Sequence, residues 1–209
     1  MIKPAIPYEV RDAHTVKHVF KDATLIYPAL LEADTRFEPQ FKTGIRFDSE
    51  EDPALVALLE TVDSLRTAFM EDAFAGGYVK KPKKGDVPVK DIKVREVDEE
   101  DDANEAVFIT ASCKAVDFKG NDITIPVVDA ARNPLPRNTA VGGGSVANVV
   151  VLLQPWHMAA HGFGVSVKLV AAQVTQVRTG RQQVNVESEF EVVEGGFTAA
   201  LAADEDGDF

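Results

Sequence analysis

A single long amphipathic helix, set in a chain otherwise patterned for strands, restricts the fold more than any other feature. The helix reads over residues 53–75. Asp52 is placed to cap it, Pro53 suits its first turn, and Gly76-Gly77 ends it. Leu55, Leu58, Leu59, Val62, Leu65 and Phe69 recur at steps of three and four, giving one apolar stripe that assigns the helix to packing rather than chemistry. Before it, residues 1–14 read as an irregular lead-in and 15–27 as a first strand ending ahead of Pro28. Phe37, Phe41, Ile45 and Phe47, interleaved with Arg36, Lys42, Thr43 and Arg46, read as a second strand with a basic face. Its alternation is strict from Phe41 onward, with Phe41, Thr43, Ile45 and Phe47 facing one way and Lys42, Gly44 and Arg46 the other. From Ala106 the pattern is β throughout. Residues 107–118 form a strand, with 123–128 as its hairpin partner across Gly120-Asn121. Further strands are expected at 146–153, stopped by Pro155-Trp156, then at 162–177 and 184–193. Five or six strands around one helix predict a mainly β (α+β) chain, with a five-stranded Greek-key barrel of the OB type as the leading plan.

The 209 residues, 45% of them hydrophobic, are enough for one good core. Residues 1–197 are therefore expected to form one domain, and 198–209 a flexible acidic tail. Lys3, Glu9, Arg11, Asp12, Lys17 and Lys21 interrupt the first 25 residues, so nothing there reads as a signal peptide. No apolar run approaches the roughly 18 residues of a membrane helix. The lone cysteine, Cys113, forbids an internal disulfide and fits a reducing cytoplasm.

A net charge of −12 speaks against a nucleic-acid ligand until it is resolved along the chain. Residues 96–105 hold seven acids and residues 204–208 four more; the remainder carries 23 acids against 22 Lys and Arg. A near-neutral body can present a basic face, and an acidic appendage can compete for it.

Motifs for catalysis and metal binding fail on their spacing. Gly142-Gly143-Gly144-Ser145 lacks the Lys of a P-loop and precedes a strand where that motif needs a helix. His157 and His161 stand four apart without the glutamate of a zinc hydrolase, and no serine sits in a nucleophile elbow. The acidic run lacks the ligand spacing and glycine of a calcium loop. Neither enzyme chemistry, nor a metal, nor a cofactor is expected.

Several residues suit a polyanion. Lys80, Lys81, Lys83 and Lys84 form a basic loop after the helix, either a solvated linker or a phosphate contact. Lys42, Arg46, Lys114 and Lys168 alternate with apolar neighbours, so one sheet face could carry charge while the other packs. Trp156, the only tryptophan, is either a stacking platform for bases or a core plug. The terminal Asp204-Glu205-Asp206-Gly207-Asp208-Phe209 is either an ordinary solvated end or a ligand in itself, with charge to steer it and a ring to fill a pocket.

Residues 141–169, which run from Val-Gly-Gly-Gly-Ser through Pro155-Trp156 to Gly164-Val165-Ser166-Val167-Lys168-Leu169, resemble the replicative single-stranded DNA-binding protein of T-seven-like short-tailed bacteriophages. Residues 204–209 look the same as that family's acidic terminus closing on Phe, a feature also found on bacterial single-stranded DNA-binding proteins. Weaker similarity extends through Lys84-Gly85-Asp86-Val87-Pro88, Val127-Val128-Asp129 and the Phe41-Lys42 strand, and Lys17 matches a basic position before the family's first strand. The chain departs from the family in its Ala-rich residues 198–203 and in 179–193, which look like an addition. The resemblance implies an OB-fold homodimer that stacks bases, protects and anneals single strands, and acts in phage replication, recombination and repair in the host cytoplasm. It also implies that Asp204, Glu205, Asp206, Asp208 and Phe209 contact the phage DNA polymerase and helicase-primase. The alternative is a non-enzymatic scaffold β-protein that uses its tail for assembly.

Overall fold

The computed structural model describes residues 6–82, 85–97 and 105–179. A short helix α1 (Tyr8–Ala13) leads into β1 (Val16–Asp34) and β2 (Gln40–Phe47). The long helix α2 (Pro53–Ala75) follows, then the short strands β3 (Val89–Lys90) and β4 (Val94–Glu96). The chain continues through β5 (Val107–Lys114), β6 (Val127–Val128), β7 (Val146–Met158) and β8 (Gly162–Gln176). β1 pairs antiparallel with β2 and β7, β2 with β5, and β7 with β8. β8 then lies parallel to β5 at one paired position, Ser112 with Lys168, and this closes the barrel in the order β1-β2-β5-β8-β7. The result is the five-stranded Greek-key barrel of an OB-fold, with α2 inserted between its second and third strands.

Alternation builds the core. Phe41, Thr43, Ile45 and Phe47 of β2 all point inward, as the pattern predicts. They meet Leu25, Ile109, Val149, Val151, Leu153 and Leu169, none more than 1% exposed. α2 adds Leu55, Leu58 and Val62 to this cluster, while its far end sets Phe69 and Ala73 against Phe163 of β8 in a second, smaller one. Asp52 caps the helix: its Oδ1 accepts the Ala54 N–H at 2.8 Å.

The structure differs from the sequence reading in several places: β2 begins at Gln40, which leaves Phe37 in the connection from β1, and β5 stops at Lys114, short of Phe118. The lead-in contains α1, a six-residue helix that buries no side chain and so leaves no apolar stripe to read. β1 runs through Pro28 to Asp34, because the register with β2 slips between Ile26 and Ala29, where Tyr27 adopts φ +46°. The missing proline N–H falls in that bulge and costs no ladder bond. β7 likewise continues through Pro155-Trp156: pairing with β1 ends at Leu153, so Pro155 occupies a strand already free on one side. Residues 123–128 make no hairpin with β5. A lone bridge joins Val116 to Asp122, and β6 pairs parallel with β8 instead. The expected strand at 184–193 lies outside the described residues.

Candidate nucleic-acid interface

With Phe41, Thr43, Ala111, Cys113, Val167 and Leu169 turned inward, the alternate positions must face out. Cross-strand register then links Lys17, Leu152, Lys168, Ser112 and Lys42 in one row around the outside of the barrel. The row brings together three of the cations singled out in the sequence, from strands far apart in the chain.

Where this row crosses the β5–β8 seam, the surface sinks into a groove of about 1120 Å³. Its floor is Thr110, Ser112 and Lys114 of β5 with Gln154, Trp156 and Lys168 of β7 and β8. One wall is the segment carrying Lys90, Lys93 and Arg95; another is the loop after β5, which carries Phe118. Five basic and three acidic side chains line it, but each acid is already engaged. Asp91 is paired by Arg66 at 2.5 Å, Glu38 takes Lys114 at 2.6 Å, and Asp117 is consumed by its own loop. Lys90, Lys93, Arg95 and Lys168 have no ion-pair partner among the described residues. The Lys114–Glu38 pair is two-thirds exposed at both ends, so water and salt screen it and a stronger anion can displace it.

Trp156 is half-buried in β7 opposite Gly164. A Cβ placed on Gly164 would lie 2.4 Å from the indole Cζ2, so the ring rests directly on the glycine backbone. One side of the indole borders the groove. Another borders a cavity of about 350 Å³ lined by Tyr8, Arg11, Tyr78 and His157. The ring is thus neither a core plug nor a free side chain; it is seated, with part of its surface open.

Among the described residues, the remaining sequence candidates lie outside the groove, Lys42 and Lys17 on the outward row and the others apart from it. Lys42 is ion-paired with Asp34, which also accepts the Arg36 guanidinium at 2.8 Å. Hydrogen bonds from Arg36, then from Lys42, hold the Asp34 carboxyl well below the usual carboxylate range. Lys42 lines a cleft of about 350 Å³ that shares Arg95 and Thr110 with the main groove, and so continues it around the barrel. Arg46 lies apart, near the start of α2, 3.4 Å from Asp48. Lys17 is exposed on β1, and Lys80 and Lys81 are exposed beyond α2. Lys83, Lys84, Asp204, Glu205, Asp206, Asp208 and Phe209 lie outside the described residues. Sequence reading missed Lys90, Lys93, Arg95 and Phe118. The three cations within six residues, between Pro88 and the acidic run, were the available signal.

No protein-family model and no curated protein sequence matches the chain. Among solved structures, a single-stranded DNA-binding protein from bacteriophage Enc34 aligns at 12% identity and a TM-score of 0.49, over 86% of this chain and 91% of that one. The crystal structure of gp2.5, a single-stranded DNA-binding protein encoded by bacteriophage T7, aligns at 19% identity and a TM-score of 0.56, over 88% of this chain and 100% of that one. At that identity the likeness is one of fold, and it extends along the whole length of the bacteriophage T7 protein.

Proposed function

We propose that this protein binds single-stranded DNA without sequence preference, laying the strand across the β5–β8 seam. One observation carries the reading: a seated, partly open tryptophan shares a groove with four cations that lack ion-pair partners among the described residues. A single strand can turn its bases out onto an indole face, whereas a duplex keeps them stacked inside. Stacking contributes roughly 1–3 kcal/mol per base and tolerates any base, because every base has a π-face. Lys90, Lys93, Arg95 and Lys168, with Lys114 once released from Glu38, are the phosphate contacts. Lys42 and Lys17 extend them along the outward row. Lys80, Lys81, Lys83 and Lys84 form a peripheral phosphate-contacting loop, and Arg46 a further contact on β2.

In the same reading the protein is non-enzymatic and protects and anneals single strands in phage DNA replication, recombination and repair in the host cytoplasm, as a homodimer. Residues 1–197 are the DNA-binding domain. Residues 198–209 are the tail, which competes for the groove and recruits the phage DNA polymerase and helicase-primase through Phe209. The resemblance of residues 141–169 and 204–209 supports these roles, together with the shared barrel.

Quenching of Trp156 fluorescence by single- and double-stranded oligonucleotides across a salt series tests the core of the proposal. Single strands should bind in preference, and log affinity should fall against log salt with a slope of at least about 3 in magnitude, roughly 0.7 for each of the four groove cations, and steeper as the peripheral cations engage. Equal binding of both forms, or none, would leave the scaffold β-protein as the better reading.

A further inference from the structure

Among the described residues, Phe20, Phe41, Phe47, Phe69, Phe108 and Phe163 are buried and Phe74 is half-buried. Two phenylalanines break this rule: Phe118 is 93% exposed and Phe37 is 87% exposed. They sit on adjoining loops. Phe37 belongs to the β1–β2 connection and Phe118 to the loop leaving β5. The Ala115 N–H donates to the Pro39 carbonyl at 2.9 Å, tying the two loops together. Both loops reach the groove, one through Glu38 and Pro39, the other through Phe118 itself.

The Phe118 loop is built to hold its tip still. Asp117 Oδ1 accepts the N–H groups of Lys119 and Asn121 at 2.7 and 2.9 Å, and its Oδ2 accepts the Asn121 side-chain amide at 2.8 Å. These bonds, the Asn121 side-chain amide foremost, also hold the Asp117 carboxyl below the ordinary range. Gly120 closes the turn at φ +86°, a conformation that favours glycine. A ring presented on a rigid loop loses little further freedom when it stacks on something flat, which is the main cost of such a contact. Each exposed ring also has a cation next to it in sequence: Arg36 precedes Phe37, and Lys119 follows Phe118 with its Nζ 5.4 Å from the ring centroid.

We infer that the rim carrying Phe118 and Phe37 is a second base-stacking site, at which a single strand leaving the Trp156 groove stacks further nucleobases while Lys119, and Arg36 once released from Asp34, meet the flanking phosphates. The inference rests on the proposed function and deepens it. Continuity with the groove and the paired cations favour nucleobases over a protein partner, whose apolar anchor would want a pocket rather than two protruding rings.

The test compares the wild-type chain with the double variant Phe37→Ala/Phe118→Ala, on a thymidine oligomer longer than the roughly 4–16 nucleotides an OB-fold covers. An abasic oligomer of equal length is the control. The double variant should bind the thymidine oligomer more weakly by at least the roughly 5- to 150-fold that one stacked base supplies. It should bind the abasic oligomer like the wild type, keep the wild-type salt slope and keep the wild-type unfolding midpoint. Phe37→Tyr/Phe118→Tyr, which retains both rings, should bind thymidine like the wild type.

Equal thymidine affinity in the double alanine variant and the wild type overturns the rim while leaving the groove intact. An equal loss on the abasic oligomer overturns it too, by showing that the loops act on the backbone alone. Loss of self-association in ultracentrifugation with thymidine affinity unchanged would assign the rim to contact between two copies of the chain. Failure of the wild type itself to bind any single strand removes the groove and the rim together.

Discussion

Replacing Gly164 with alanine tests the seat of the tryptophan ring. The added methyl would lie 2.4 Å from Trp156 Cζ2 and 2.7 Å from Cε2, whereas carbon atoms in contact need about 3.5 Å. The indole must therefore move by about 1 Å or rotate away, since Gly164 is fixed by the β7 ladder. Forcing one methyl into a packed site costs typically 1–3 kcal/mol. A displaced ring also forfeits much of its stacking, roughly 1–3 kcal/mol per base. Because Trp156 is the only tryptophan, the intrinsic emission of Gly164→Ala reads the displacement directly, and oligonucleotide titration reads the loss of affinity. A double-mutant cycle then isolates the cause. In a Trp156→Ala background the methyl finds space, so Gly164→Ala should cost little more in either stability or binding. Additive costs in that cycle, or an unchanged emission spectrum with wild-type affinity, would refute the contact between ring and glycine as the basis of the site.

Lys168→Gln should lower the slope of log affinity against log salt by roughly 0.7, whereas Lys42→Gln should change it less, because Asp34 already compensates that ammonium; the salt series measures both. Asp34→Asn should lower the unfolding midpoint at pH 7. The folded carboxyl titrates below its unfolded value near 3.9, so its contribution is present above that pH and is lost as pH falls towards the folded value. Thermal melts should therefore show the gap between wild type and Asp34→Asn closing below about pH 4. Deleting residues 204–209 should tighten DNA binding, most at low salt, where competition for the groove is least screened. Phe209→Ala should leave DNA affinity close to wild type in titrations and abolish capture of the cognate polymerase in a pull-down.

Local rules carried the sequence reading as far as they govern structure. α2 is legible to the residue because cap, first-turn proline, apolar stripe and terminal glycines all agree. β2 is legible because strict alternation admits only one inward set. Proline misled at positions 28 and 155, where the sequence shows the missing N–H but not that the neighbouring strand has slipped or ended. The groove could be read only in fragments. Trp156, Lys114 and Lys168 stand out by type and alternation, yet their meeting depends on the parallel β5–β8 pairing, which joins residues 56 positions apart. Lys90, Lys93 and Arg95 become a wall only once β3 and β4 dock on opposite sides of that seam, β3 on β8 and β4 on β5. Phe118 read as the end of a strand because the Asx-type turn that expels it is set by Asp117 and Asn121, on either side of it.

The barrel is laced unevenly. Thirteen register pairs join β7 to β8, whereas β5 meets β8 at one, Ser112 with Lys168. A cylinder stitched this way has a slit, and amides along it should exchange with solvent sooner than those of the β7–β8 ladder. The groove lies over that slit, with β5 as one lip and β8 as the other. A strand gripped by both lips acts as a suture: its phosphates and bases supply across the gap what the backbone supplies everywhere else. Bound DNA should then protect the amides near Ser112 and Lys168 more than any others, and raise the energy needed to open the barrel there.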